Sequence, residues 1–280
     1  LLMFPGLFVL IFLGFPVAFS LISVAFAFGL YTFGDAVIFQ FISKIEGIST
    51  NFILAAVPLF VFMGSMLERS GIAQQLFSAI HMWTRRLPGG LSIGTVIMCI
   101  IFAASTGVIG ATETVVGLLA IPAMLKHNYS HSLISGTICA GGSLGTIIPP
   151  SVVVVVLGPI ADVSIGDLMV GMLIPGLILA LLYIVYIFLL CLVKPENGPQ
   201  IDVDDEISQL NLSKKLLITF KALIPPLLMI FAVLGSIMLG WAAPTEAAAL
   251  GAAGSIILSL FYKKLNWPTF KEALIKTITI

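Results

Sequence analysis

The chain consists of long apolar stretches that alternate with short polar segments. The apolar stretches cover residues 1–34, 51–67, 91–125, 130–160, 168–193, 222–240 and 245–262. A helix of about 20 apolar residues crosses a lipid bilayer, so the pattern predicts an all-α polytopic membrane protein. The first stretch contains Pro5 and Pro16, and it predicts either one kinked span or two short ones.

Three shorter segments mix apolar and polar residues at helical spacing. They cover residues 35–47, 72–86 and 268–277. Amphipathic helices of this kind are too short and too polar to cross a membrane, and they are typical of helices that lie in its interface. We therefore expect interfacial helices between the spans.

Two of the apolar stretches are interrupted by small residues. Ala-Ser-Thr-Gly occupies 104–107, and Gly-Gly-Ser-Leu-Gly at 141–145 leads into Pro-Pro-Ser at 149–151. We expect non-helical breaks at both places. Unwound backbone at membrane depth persists only where protein buries it or where it lines a cavity, and paired breaks indicate a transporter's binding site. The alternatives are close helix packing at the first break and a structural kink at the second.

The stretch 91–125 has basic residues at both ends, with Arg85 and Arg86 before it and Lys126 after it. The positive-inside rule places both ends in the cytoplasm. A single helix cannot begin and end on one side, so the pattern predicts a re-entrant hairpin with its tip at 105–107. The amino end of the half-helix after the tip suits a carboxylate, and the carbonyl end before it suits Na⁺.

Two carboxylates lie inside apolar sequence, where they are costly and often functional. Glu113 could be a proton or cation site or a group that orients substrate, or it could be a protonated partner of a neighbouring helix. Glu246 follows Pro244 and Thr245, a pattern that favours a helix cap.

The composition and the motifs of the chain exclude several classes of function. Only 9% of the 280 residues are charged, against about 25% in soluble domains, and the net charge is zero. We therefore expect no nucleic-acid partner. The chain shows no nucleophile–base pair, no metal-ligand spacing and no Walker motif, so we expect neither an enzyme nor a bound cofactor. Energy for transport must then come from an ion gradient or another subunit.

Several motifs resemble the large membrane subunit of TRAP (tripartite ATP-independent periplasmic) transporters. They are Leu-Pro-Gly-Gly at 87–90, Phe-Ala-Ala-Ser-Thr-Gly at 102–107, the run from Gly141 to Ser151 and Ala-Pro-Thr-Glu-Ala-Ala-Ala at 243–249. The resemblance implies an inverted-repeat elevator transporter of the bacterial inner membrane, with a re-entrant hairpin, a broken helix and interfacial arm helices. It also implies Na⁺ coupling, a small membrane subunit, a periplasmic binding protein and an organic-acid substrate, such as a C4-dicarboxylate or a 2-oxo acid.

The resemblance matches Ser105–Gly107, Gly141–Gly145 and Pro149–Ser151 to the family's hairpin tip and broken helix, and the residues themselves add further candidates near the tip. Those expected to bind substrate are Ser105, Thr106, Gly107, Gly110, Thr112, Glu113, Pro150 and Ser151. Those expected to bind Na⁺ are Ser105, Gly107, Gly141, Gly142, Ser143, Gly145, Thr146 and Pro149. Thr245 and Glu246 are expected to belong to the scaffold.

We expect four regions along the chain. Residues 1–90 would form scaffold spans and arm helices, 91–163 half of the transport domain, 164–262 further spans with an acidic loop at 196–213, and 263–280 the start of a second arm. The family has a second hairpin and a second broken helix, so we expect a chain truncated on its C-terminal side. The alternative functions are a non-conducting scaffold subunit, a divalent-anion/Na⁺ symporter without a binding protein, and an intramembrane enzyme that uses Glu113.

Overall fold

A computed structural model describes residues 2–107, 109–200 and 211–279, and these residues form helices without a strand. The expected acidic loop at 196–213 lies largely outside the described residues. The chain divides into two compact units, Leu1–Phe52 and Ile53–Ile280. Each unit is described by itself.

The first unit contains three helices, α1 (Met3–Phe12), α2 (Val17–Phe33) and α3 (Ala36–Ser49). The first apolar stretch forms two helices, each shorter than the 18 residues of a candidate span, so the choice between one kinked span and two short ones stays a prediction. Gly14 has a φ of 89°, and Pro16 caps the start of α2. Phe26 of α2 packs edge-on against Phe41 of α3 with ring centres 5.2 Å apart, which joins the predicted amphipathic helix to the unit.

The second unit contains the remaining helices. They are α4 (Ala56–Arg69), α5 (Ile72–Thr84), α6 (Gly90–Thr106), α7 (Ile109–Lys126), α8 (His131–Ile147), α9 (Val152–Ala161), α10 (Ile165–Val193), α11 (Leu212–Ile230), α12 (Ser236–Met238), α13 (Pro244–Phe261) and α14 (Trp267–Thr279). A π-helical turn, Phe231–Gly235, joins α11 to α12, so the helix is continuous from Leu212 to Met238.

Four of the described helices are long and apolar enough to cross a membrane: Phe52–Arg69, Ile165–Val193, Leu212–Met238 and Pro244–Phe261. The α8–α9 pair would form a fifth span, bent by 44° at its break. Many large apolar side chains of α10 and α11 are exposed, as expected for surfaces that contact lipid tails. The chain is therefore an all-α polytopic membrane protein, as the sequence predicts.

The two larger of the three described clusters of buried residues form most of the core of the second unit. The larger cluster includes Met98 and Phe102 of α6, Met124 of α7 and Leu144 of α8. The other joins α4, α9 and α13 through residues such as Phe60 and Met63. The functional candidates lie where the helices of these two clusters meet.

Candidate functional site

Helices α6 and α7 form a hairpin, in which the start of α6 lies close to the segment that follows the end of α7. The Leu91 N–H donates a hydrogen bond to the Tyr129 hydroxyl, with a donor–acceptor distance of 3.1 Å. Burial raises the pKa of Tyr129 to about 12, so the hydroxyl keeps its proton at physiological pH. At the other end the chain turns at Gly107, which has a left-handed φ of 64°. The two helices turn back on each other at the predicted tip, and the re-entrant course of this hairpin and its depth in the bilayer stay predictions.

The first break is shorter than the sequence predicts. Helix α6 continues to Thr106, so the expectation of non-helical backbone at Ala104, Ser105 and Thr106 is wrong. The Ser105 Oγ donates to the Ile101 carbonyl at 2.8 Å, one helical turn back. A serine can satisfy its hydroxyl inside a helix in this way, so Ser105 stays helical, and Gly107 is the first described residue of the tip to leave the helical conformation.

The hairpin tip contacts the break between α8 and α9. The Val152 N–H donates to the Gly107 carbonyl at 3.3 Å. A Cβ atom at Gly107 would collide with the carbonyl oxygen of Pro150. Glycine is therefore required here both by its backbone conformation and by the closeness of the break.

A third helix, α4, closes over the tip. A Cβ atom at Gly64 would lie 2.9 Å from the Thr106 carbonyl oxygen, so α4 approaches the tip backbone to backbone. Sequence reasoning missed Gly64. Its signal was the small pair Gly64–Ser65 inside an apolar helix, a pattern that allows close helix packing.

Buried hydroxyl groups surround the tip. The Oγ1 atoms of Thr106 and Thr112 are 3.1 Å apart and link the two arms of the hairpin. Ser151 is fully buried, and its Oγ has no hydrogen-bond partner among the described protein atoms. A buried hydroxyl without a partner is costly, so Ser151 Oγ is a candidate for a hydrogen bond to a ligand.

The second break also differs from the prediction. Helix α8 continues through Gly141–Gly145 to Ile147, so the expected unwound backbone at 141–145 is wrong. The break occupies 148–151, where the Pro149–Pro150 bond is cis. A glycine in a helix costs only about 1 kcal/mol, whereas proline removes the N–H that the helix needs. The carbonyl groups of Gly145 and Thr146 consequently have no N–H donor four residues further on, because those residues are prolines.

Glycines 141 and 142 allow close packing of α8 on the hairpin. A Cβ atom at Gly141 would lie 2.6 Å from the Cys99 sulfur of α6, and one at Gly142 would collide with the Cγ of Glu113 in α7. Glu113 thus packs against α8, about two helical turns from the tip. At these two glycines, close helix packing explains the small residue.

The remaining candidates have local roles in the structure. The hydroxyl groups of Ser143 and Thr146 donate to carbonyls of their own helix, Ala140 at 2.7 Å and Ser143 at 2.8 Å. Gly110 is exposed on α7. The structure therefore brings together Thr106, Gly107, Thr112, Pro150 and Ser151 of the expected substrate residues.

Thr245 and Glu246 lie at the start of α13. The Glu246 carboxylate accepts a hydrogen bond from the Ala243 N–H at 2.9 Å. This bond satisfies an amide that the first helical turn leaves unpaired. The predicted helix cap is confirmed.

The family model for the tripartite ATP-independent periplasmic transporter DctM component matches residues 4–280. The chain belongs to this family. The match confirms the resemblance seen in the motifs. TRAP large subunits are transporter permeases and not enzymes.

Individual TRAP relatives agree with this membership. The chain is 33% identical over 218 residues to the C4-dicarboxylate TRAP transporter large permease protein DctM of Pseudomonas aeruginosa, which covers 78% of the chain and 49% of the relative. It is 30% identical over 270 residues to the sialic acid TRAP transporter large permease protein SiaM of Vibrio cholerae, covering 96% of the chain and 61% of the relative. The ectoine/5-hydroxyectoine permease UehC of Ruegeria pomeroyi is 29% identical over 191 residues, or 66% of the chain and 44% of the relative. The chain thus spans about half to three-fifths of the length of these relatives.

Proposed function

We propose that the chain forms part of the large membrane subunit of a Na⁺-coupled, ATP-independent secondary transporter. The transporter imports a small organic acid by an elevator movement in the bacterial inner membrane. A periplasmic binding protein delivers the acid, and a small membrane subunit packs against the large one. Family membership and relatives named for C4-dicarboxylate and sialic acid transport support this proposal.

The observation that carries the proposal is the contact between the hairpin tip and the broken helix. Gly107 and the 148–151 segment are both non-helical, and they touch within an apolar unit. Non-helical backbone at membrane depth needs protein or a polar ligand around it. Transporters use paired helix ends of this kind to bind substrate and coupling ion.

Carbonyl oxygens at the end of α8 are the candidate Na⁺ ligands. Those of Gly145 and Thr146 lack a helical donor because positions 149 and 150 are prolines. Ser105 and Gly107 would supply further oxygens from the end of α6, where carbonyl groups point out of the helix. The carbonyls of Gly141 and Gly142 remain inside α8, so we assign them packing instead.

The substrate carboxylate would lie beside the same contact. Helices α7 and α9 both begin there, and their amino ends favour a negative charge. The unpartnered Ser151 hydroxyl can donate a hydrogen bond to a carboxylate oxygen. Carbonyls for the cation and donors for the anion then lie next to each other, which explains how one ion can promote the binding of the other.

Uptake by the full-length permease, reconstituted with its small subunit and binding protein, tests the coupling. Uptake of a labelled organic acid should collapse when choline replaces Na⁺, and it should survive ATP depletion while the Na⁺ gradient is held. Uptake that does not depend on Na⁺ would refute the proposal. Equal uptake without the binding protein would instead favour the symporter alternative, and no uptake under any condition would favour a scaffold.

A paired-variant experiment tests the site. The double variant Ser105→Ala with Gly107→Leu should insert normally and lose Na⁺-dependent uptake. The matched control is Ser78→Ala with Gly240→Leu. The Ser78 Oγ also donates to the carbonyl four residues back, and Gly240 has a φ of 70° with nothing within 4 Å of its added Cβ. Loss of uptake in both variants, or in neither, would contradict the assignment.

A further inference from the structure

The backbone of α4 meets the hairpin tip at one glycine. A Cβ atom built at Gly64 would lie 2.9 Å from the Thr106 carbonyl oxygen, 3.2 Å from the Thr106 Cβ and 3.3 Å from the Thr106 Cα. A carbon and an oxygen in contact are normally about 3.3–3.6 Å apart, and two carbons about 3.5–4.0 Å. The tip therefore approaches α4 as closely as a residue without a side chain allows.

Helix α4 is firmly packed on both sides of this glycine. Phe60 and Met63 are 0% and 1% exposed and belong to the cluster that joins α4 to α9 and α13. One helical turn beyond Gly64, the Glu68 carboxylate forms an ion pair of 2.6 Å with Lys276 of α14. Close-packed interiors transmit strain instead of absorbing it, so a larger residue at position 64 would displace the tip and not α4.

The tip is held to the break by a long hydrogen bond. The Val152 N–H donates to the Gly107 carbonyl at 3.3 Å, whereas such bonds are typically about 2.7–3.2 Å. A Cβ atom at position 64 requires a displacement of about 0.5 Å to restore ordinary contact distances. Along the bond, a displacement of this size lengthens it to about 3.8 Å, which is too long for a hydrogen bond.

The residues that would move include a candidate Na⁺ ligand. The Gly107 carbonyl oxygen has two lone pairs, so it can accept the bond from Val152 and also coordinate a cation. A metal site requires its ligands within about 0.2 Å of their proper distances. A group that orients a metal ligand typically contributes about 10–100-fold to metal affinity. A displaced tip should therefore bind Na⁺ more weakly.

We propose that Gly64 is a positioning residue for the hairpin tip. The absence of a side chain at Gly64 lets Thr106 rest against α4, in the position where Gly107 contacts the break and its carbonyl binds Na⁺. The statement about Na⁺ rests on the proposed function, whereas the position of the tip does not. Gly64→Ala should consequently change two separate observables.

Hydrogen–deuterium exchange at single-residue resolution measures the position of the tip, in the full-length permease with its small subunit. Gly64→Ala should raise the exchange rate of the Val152 amide about tenfold, because its bond to Gly107 is lost. The matched control is Gly254→Ala in α13, where the added Cβ would lie 2.6 Å from the Met229 sulfur of α11. This control adds the same methyl group to a close helix contact away from the tip, and it should leave the Val152 rate unchanged. An unchanged rate in Gly64→Ala, or an equal increase in both variants, would overturn the proposal.

The Na⁺ dependence of uptake measures the consequence for the site, with the permease reconstituted with its small subunit and binding protein. Gly64→Ala should raise the Na⁺ concentration for half-maximal uptake about tenfold, and most of the maximal rate should return at saturating Na⁺. Gly254→Ala should keep the wild-type Na⁺ dependence. A displaced tip with an unchanged half-saturating Na⁺ concentration would refute the positioning role. Wild-type uptake that does not depend on Na⁺ would refute the proposed function and the statement about Na⁺ with it, and the Val152 exchange rate would still decide the position of the tip.

Discussion

The packing of Glu113 on Gly142 predicts a measurable cost for one added methyl group. A Cβ atom at Gly142 would collide with Glu113 Cγ and would lie 2.7 Å from its Oε1 and 2.8 Å from its Cδ. Carbon atoms in contact are normally about 3.5–4.0 Å apart. Because Cγ lies close to the backbone, turning the carboxylate does not relieve the collision, and the side chain or the helix must move.

The size of the effect follows from two opposing contributions. Overpacking of a close helix contact costs about 1–3 kcal/mol. Replacing a helical glycine with alanine gains about 0.5–1 kcal/mol. We therefore expect Gly142→Ala to lower the free energy of unfolding by about 1–2 kcal/mol. At Gly171 in α10 the added Cβ meets no atom within 4 Å, so Gly171→Ala should only raise the free energy of unfolding, by about 0.5–1 kcal/mol.

A double-mutant cycle isolates the contact. Glu113→Ala removes the colliding atoms, so Gly142→Ala in that background should be neutral or stabilising, with a coupling of about 1–3 kcal/mol. The unfolding midpoint in detergent, followed by the fluorescence of a fused reporter, measures all four proteins. If Gly142→Ala stabilises as much as Gly171→Ala, or if the coupling is near zero, the placement of Glu113 on α8 is wrong.

Two other predictions concern charges of the arm helices. Burial lowers the pKa of His81 to about 4 from an ordinary value near 6.5, so the unfolded chain takes up the proton first as pH falls. The free energy of unfolding should therefore be unaffected by His81 above pH 6.5 and should fall by about 3 kcal/mol as the pH is lowered toward 4. His81→Gln should remove this part of the pH dependence of the unfolding midpoint. Lys276 of α14 forms an ion pair of 2.6 Å with Glu68 of α4, so Lys276→Met should cost about 1 kcal/mol in low salt and less at 1 M NaCl. Lys271→Met, at an exposed lysine of the same helix, is the control in the same unfolding assay, and equal losses would show that the ion pair contributes nothing.

Much of the fold could be predicted because its signals are local. Apolar length determines which segments can cross a membrane, and hydrophobic spacing identifies the amphipathic helices 36–49, 72–84 and 267–279. The basic residues at both ends of the 91–125 stretch indicate a hairpin without any information on contacts. Glu246 caps its own helix through an amide three residues away, a contact that sequence alone can specify.

At the two breaks, the local sequence predicts some backbone conformations and not others. Proline at 149 and 150 ends α8 whatever surrounds it, because the missing N–H groups belong to the residues themselves. Glycine is compatible with a helix and with a break, and the choice at 141 and 142 depends on Cys99 and Glu113 of other helices.

The sequence by itself therefore determined the all-α membrane architecture, the hairpin and the position of the proline break. Only the tertiary structure decided that Gly64 of α4 closes over the tip, that Glu113 packs on α8, and that the glycines at 141–145 stay helical. The physical reason is that these features arise from backbone approaches between helices far apart in the chain. The sequence shows the small residue that such an approach requires, but it does not show which helix that residue contacts.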